Sequence, residues 1–294
     1  MKAIYWLRTG MLFVIMTGIL VAVGTLVGGL LGNWMLGLVA MLALSVVFNL
    51  VAFFGSKKMA LRANKVTLVT YEQEPRLYSI VQSLADRMGM PMPEVGISSL
   101  PMPNAFATGR GPKNAAVVAT RQLMNLLNDE ELEGVMAHEM SHVKNRDILV
   151  MSIASMMASM VAFITRMAVY STLFSNDRDG TSFLIAIVAD ITLPIAAMLI
   201  QLGVSRNREY LADESGARVT GKPLALASAL RKLESGCSST SNTYDNPSTA
   251  NMWISDPYGK KKKLKLRNLF STHPSSDDRI ERLENLDREL NGGF

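Results

Sequence analysis

The 294-residue sequence predicts an α-rich (α+β) integral membrane protein. Its expected parts are an N-terminal transmembrane hairpin, a cytoplasmic domain with a small β-sheet, and a second helical hairpin in the membrane. Three observations predict it. Apolar residues make up 49% of the chain and charged residues 19%, below the roughly 25% of an average soluble protein. Residues 9–56 are 48 consecutive positions without a charge. Two further apolar stretches, near 147–174 and 181–204, are interrupted by Arg166 and Asp190.

The first run is long enough for two crossings at about 20 residues each. Helices are expected near 10–31 and 34–54, with Gly32 and Asn33 as the turn. The run is too long for a signal peptide, and a second apolar segment follows the first directly. Lys2 and Arg8 precede the hairpin, Lys57, Lys58, Arg62 and Lys65 follow it, and the turn has no base. Basic residues stay on the cytoplasmic side, so both outer ends are expected there. The second pair of stretches is joined by a polar turn at 175–182, and Pro194 interrupts its second member. Opposite charges in such a hairpin are expected to pair, Arg166 with Asp190, or to face water separately.

The expected organisation is therefore a transmembrane hairpin at 1–56, a first part of the soluble domain at 57–146, a second hairpin at 147–204, and a second soluble part at 205–294. In the soluble parts, Leu77, Ile80, Val81, Leu84 and Met88 share one helical face. Residues 94–99 read as a strand. Residues 104–108 and 115–119 flank Gly109, Gly111 and Pro112, which predicts a hairpin. Helices are expected from Arg121 and again from Asp129, where Asn128 and Glu131 form a capping box. Residues 223–234 and 276–290 are amphipathic helices, and 235–251, rich in Ser, Thr and Asn, is a loop.

Charge excludes one class of function. No acid precedes Glu72, and removing the six bases of that region leaves 24 against 25 acids. The basic balance is N-terminal, so no nucleic-acid partner is expected. The cluster at 260–263 is read as solvated or facing anionic lipid headgroups. Cys237 is the only cysteine, which excludes an intrachain disulfide and a cysteine-built zinc site.

The chemistry lies in His138-Glu139-Met140-Ser141-His142, an HExxH pattern. Residues four apart share a helical face, so both imidazoles can bind one metal ion. Glu139 beside them can act as general base and then donate the proton to a leaving amine. A catalytic zinc wants three protein ligands. No histidine follows within a hundred residues, so a carboxylate is needed, and Glu209 is the candidate. Asp213, four later, can fix the tautomer of a ligand histidine. Arg206 can hold one of these carboxylates. His273, the remaining histidine, can approach the open metal position or sit exposed in a loop. Asn104 can hydrogen-bond a substrate backbone or serve as an ordinary turn residue.

HExxH, two apolar segments, SRxxExxAD, NAFATG upstream and THP downstream together resemble the HtpX membrane metalloproteases. These are gluzincins related to the CAAX prenyl proteases. The resemblance covers nearly the whole chain. It implies one Zn2+ per chain at His138, His142 and Glu209, with Glu139 catalytic. It implies a multi-pass bacterial inner-membrane endopeptidase with its catalytic domain on the cytoplasmic side. Its expected partners are the lipid bilayer, misfolded or damaged membrane proteins as substrates, and other quality-control proteases. The alternatives are a prenyl-type C-terminal protease and an inert membrane adaptor that keeps the fold.

Overall fold

The computed structural model describes residues 2–30, 32–157, 206–239 and 274–292. The Arg166–Asp190 pair, the second apolar stretch at 181–204, the basic cluster at 260–263, residues 240–251 of the expected loop, and His273 lie outside the described residues.

Two long antiparallel helices open the chain, α1 (Lys2–Leu30) and α2 (Trp34–Ala63). Asn33 caps α2, its side chain accepting the Leu36 N–H, and Gly32 takes a left-handed φ of 87°. The helices touch where side chains are missing. A Cβ on Gly37 would lie 2.0 Å from the Gly24 carbonyl oxygen, and one on Gly28 would lie 2.9 Å from Gly37 Cα. Asn49 bonds across to Thr17 at 3.0 Å. Among the described residues, α2 is the one helix long and apolar enough to cross a membrane.

Two expectations need correction here. Helix α2 does not stop at residue 54 but runs through the boundary expected at 56 and ends at Ala63. Its last turns dock on the soluble domain. Lys57 pairs with Glu94 at 2.8 Å, and Ala60 and Leu61 pack on Met102, Phe106 and Val118. A short strand, β1 (Val66–Leu68), follows where none was expected.

The remaining strands are β2 (Glu94–Ser98), β3 (Ala105–Gly111) and β4 (Asn114–Thr120). The sheet order is β1-β2-β4-β3. Strand β2 runs parallel to β4, while β1 and β3 are antiparallel to their neighbours. Among the described residues β3 is therefore an edge of the sheet, and its pairing with β4 forms the expected hairpin. The turn after it is shorter than its Gly and Pro content suggested. Gly109 (φ 136°) and Gly111 (φ 143°) stay in the strand through a bulge, conformations that a side chain resists.

Helices α3 (Pro75–Met88), α4 (Arg121–Leu126) and α5 (Asp129–Lys144) follow the sequence pattern closely. The capping box at Asn128 and Glu131 is formed in both directions, at 2.9 Å each. Helix α6 starts at Asp147 and is described to Met157. Beyond the undescribed residues come α7 (Arg206–Thr220), α8 (Pro223–Ser239) and α9 (Ser276–Asn291). Helix α5 is the core of the domain. Leu132, Val135, Met136, Ala137, Met140 and Val143 are all fully buried. Gly134 lets α8 approach, and Gly216 lets α7 approach. Glu131 clamps α8 to α5 through Ser228 and Lys232, both at 2.7 Å.

Candidate metal centre

Helical spacing puts His138 and His142 on one face of α5, and Glu209, Asp213 and Gly216 on one face of α7 (i, i+4, i+7). These faces meet at Gly216, where a Cβ would stand 2.9 Å from the His138 amide nitrogen. The close approach brings the ligand candidates together. His138 Nε2 lies 3.2 Å from His142 Nε2, His142 Nε2 lies 3.4 Å from Glu209 Oε1, and His138 Nε2 lies 3.6 Å from Glu209 Oε2. The three groups are buried, and their donor atoms all lie within 4.8 Å of one another. Donors about 2.0–2.1 Å from a tetrahedral ion stand roughly 3.3–3.4 Å apart, so the spacing suits zinc.

Each outer imidazole nitrogen has a carboxylate. His138 Nδ1 lies 2.8 Å from Asp213 Oδ1, and His142 Nδ1 lies 3.4 Å from Asp147 Oδ2. Each of those carboxylates has an arginine. Arg279, from α9, grips Asp213 with two bonds, Nη2 to Oδ1 at 2.6 Å and Nε to Oδ2 at 2.7 Å. Arg208 Nη1 reaches Asp147 Oδ1 at 3.2 Å. Arg279 Nη1 also lies 3.9 Å from Glu209 Oε2.

Glu139 is 5% exposed, and its carboxylate accepts the Ala107 N–H of the edge strand β3. Burial is the main cause that pushes its pKa up to about 8, with Glu209 adding to it. His142 behaves oppositely. Burial pulls it down, but Glu209 and the hydrogen bond to Asp147 win and push it up to about 10. Burial draws His138 below the ordinary histidine value despite Asp213. Burial opposes ionisation of Asp213, yet Arg279 and His138 hold its carboxyl below the usual range.

Charge tests the fit to a metal. With neutral histidines, the carboxylates of Glu139, Asp147, Glu209 and Asp213 outnumber the guanidiniums of Arg208 and Arg279 by two. Buried charge is costly unless compensated. The protein alone meets the excess by raising the pKa of His142 and Glu139, so that both hold protons more tightly. A divalent cation between His138, His142 and Glu209 would supply the same two charges.

Four residues of this arrangement were missed from the sequence: Asp147, Arg208, Arg279 and Gly216. Two other candidates sit differently from expectation. Arg206 is exposed at the start of α7, and the guanidinium at Asp213 belongs to Arg279. Asn104 is buried at the head of β3, where its N–H donates to Thr120 Oγ1 at 2.9 Å and its carbonyl accepts the Thr120 N–H at 2.8 Å.

The model of peptidase family M48 matches residues 71–287. A "Protease HtpX homolog" of Thermococcus kodakarensis is 43% identical over 294 residues, covering 99% of both chains. Its namesake in Pyrococcus abyssi is 42% identical over 288 residues, covering 97% of both. The one in Sulfurihydrogenibium sp. is 39% identical over 298 residues, covering 98% of both. The crystal structure of S. mikatae Ste24p aligns with a TM-score of 0.49 at 19% identity, over 96% of this chain and 66% of that one. Family match and full-length identity lead to one conclusion: this chain belongs to peptidase family M48 and is a membrane-associated metalloprotease.

Proposed function

We propose that the chain is a gluzincin-type zinc endopeptidase of the inner (cytoplasmic) membrane that hydrolyses misfolded or damaged membrane proteins on the cytoplasmic side. The observation that carries the reading is the juxtaposition of a buried His138, His142, Glu209 triad with Glu139 against an edge strand. The basic residues flanking the N-terminal hairpin support the cytoplasmic placement.

In this reading His138, His142 and Glu209 hold one zinc ion. Zinc bound there supplies Lewis acidity toward a peptide carbonyl and lowers the pKa of water. Glu139, its carboxylate made more basic by burial, takes a proton from the attacking water and returns it to the leaving amine nitrogen. The Ala107 N–H keeps the Glu139 carboxylate beside the substrate strand. An extended polypeptide pairs along the outer edge of β3, where Glu139 and Ser152 hold the Ala107 and Gly109 N–H groups in the substrate-free protein; such main-chain bonds read shape rather than sequence and suit unfolded chains. Asp213 and Arg279 hold His138 with its Nε2 lone pair toward the metal. Asn104 fixes the start of β3. Other quality-control proteases of the membrane would be natural partners in the same task.

The test is cleavage of casein by the zinc-loaded full chain in detergent, with Glu139→Gln as control. The expected result is cleavage that the variant loses by several orders of magnitude while keeping its zinc. Turnover near wild type in zinc-loaded Glu139→Gln would reject the assignment of the base.

A further inference from the structure

We propose that Asp147 is a positioning residue for the second ligand histidine: it fixes the tautomer of His142, with Arg208 as its counter-ion. The inference rests on the metal reading above and assigns a group that the HExxH pattern does not contain. Helix α5 ends at Lys144, with Asn145 as its C-cap. The next residue, Arg146, takes a left-handed φ of 64°, an uncommon conformation for a side chain of that size. That turn folds the chain back so that Asp147, the first residue of α6, returns to His142. Its Oδ2 stands 3.4 Å from His142 Nδ1, and Asp147 is only 2% exposed.

The chemistry follows from the imidazole. A neutral ring has one N–H, and a metal needs the lone pair of the other nitrogen. An acceptor at Nδ1 places the N–H there and leaves the Nε2 lone pair facing Glu209 and His138 Nε2. A buried carboxylate needs its own partner, and Arg208, one residue before Glu209 in α7, supplies it. The arrangement repeats the Asp213–Arg279 pair at His138 with different elements. His138 is referenced to α7 and α9. His142 is referenced to α6, whose Leu149, Val150, Ile153 and Ala154 pack against Leu12, Met16 and Ala52 of the N-terminal hairpin. The orientation of the second ligand is thereby tied to the membrane part of the molecule.

The test is zinc affinity of the full chain in detergent, measured by competition with a chromogenic chelator. Wild type, Asp147→Ala, Asp147→Asn and His142→Ala are compared, with thermal melting of each. Asp147→Ala should weaken zinc binding about 10–100-fold. Asp147→Asn keeps the shape and an acceptor oxygen but not the charge, so it should recover part of the loss. A wild-type Kd in Asp147→Ala would overturn the proposal. So would a lower melting temperature with Kd unchanged, which marks a packing role. If Asp147→Ala does not fold, Asp147→Asn decides: weaker zinc binding supports the proposal, and a wild-type Kd rejects it. His142→Ala separates the two levels of the argument, because unchanged zinc binding there would reject the metal assignment itself.

Discussion

The N-terminal hairpin and the domain it carries are built inside out relative to each other. The domain buries Leu77, Leu84, Leu132 and Met136 and gathers most of its buried charges in one compensated cluster, with Glu131 held apart by Lys232. The hairpin shows Leu36, Val39, Val46, Val47, Leu50 and Phe54 to its surroundings and turns Gly24, Gly28, Gly37, Ser45 and Ser56 inward. Water drives the first kind of packing. Where lipid is the solvent, burial of apolar surface gains little, and close backbone approach at small residues takes its place. The comparison teaches that one chain carries two kinds of packing, and the role proposed for Asp147 would link the metal site to both through α6.

The largest expected effect breaks the domain half. Glu209→Ala removes one of the three proposed ligands and should lose both zinc and hydrolysis, the latter by several orders of magnitude. Metal analysis of the purified variant alongside the casein assay checks it.

The next effect sharpens the difference of solvent. Val39, 56% exposed on α2, and Leu211, 55% exposed on α7, look alike by accessibility. Val39→Arg should cost about 2.5–3.5 kcal/mol of insertion if α2 faces lipid. Leu211→Arg should stay within about 0.5 kcal/mol on a surface that faces water. Equal effects in a membrane-insertion assay and in thermal melting would erase the distinction.

Glycine is used in both halves for different ends. Gly216→Ala must push α7 off α5, because the new Cβ meets backbone. Overpacking of this kind costs about 1–3 kcal/mol. Glu209 and Asp213 ride on the displaced helix, so zinc affinity should fall with stability. Gly37→Ala meets backbone as well and should destabilise the hairpin by a similar amount, but with a smaller loss of zinc affinity. Melting curves and chelator competition on the two variants separate the roles.

The last effect is one of pH. His142, pushed up to about 10, is protonated at pH 8, and the ion must displace that proton. Zinc affinity should therefore rise with pH until His142 deprotonates unaided near 10. The gain is about tenfold per pH unit for one proton. Calorimetry in buffers of different ionisation enthalpy should find protons released on zinc binding at pH 8.

Local signals made much of this legible in advance. The uncharged run, the Asn128 capping box, the amphipathic spacing of α3 and the HExxH pattern each lie within a few residues of sequence. What escaped depends on partners far along the chain. Strand β1 is three residues with no periodicity and exists because β2 pairs with it. Arg279 lies 66 residues from Asp213 and reads locally as one more charge on an exposed helix. Asp147 stood at the head of an apolar stretch and was absorbed into it. Gly216 had a readable signal, since it continues the face of Glu209 and Asp213 by one turn. Helix α2 outran its expected end because its basic last turns find Glu94 and the sheet rather than solvent.

X-ray absorption of the zinc-loaded protein tests the central claim most directly. The account predicts one zinc per chain, with two imidazole nitrogens and carboxylate or water oxygens at about 2.0–2.2 Å. A sulfur neighbour at about 2.3 Å, or zinc retained in the absence of His138 and His142, would contradict it.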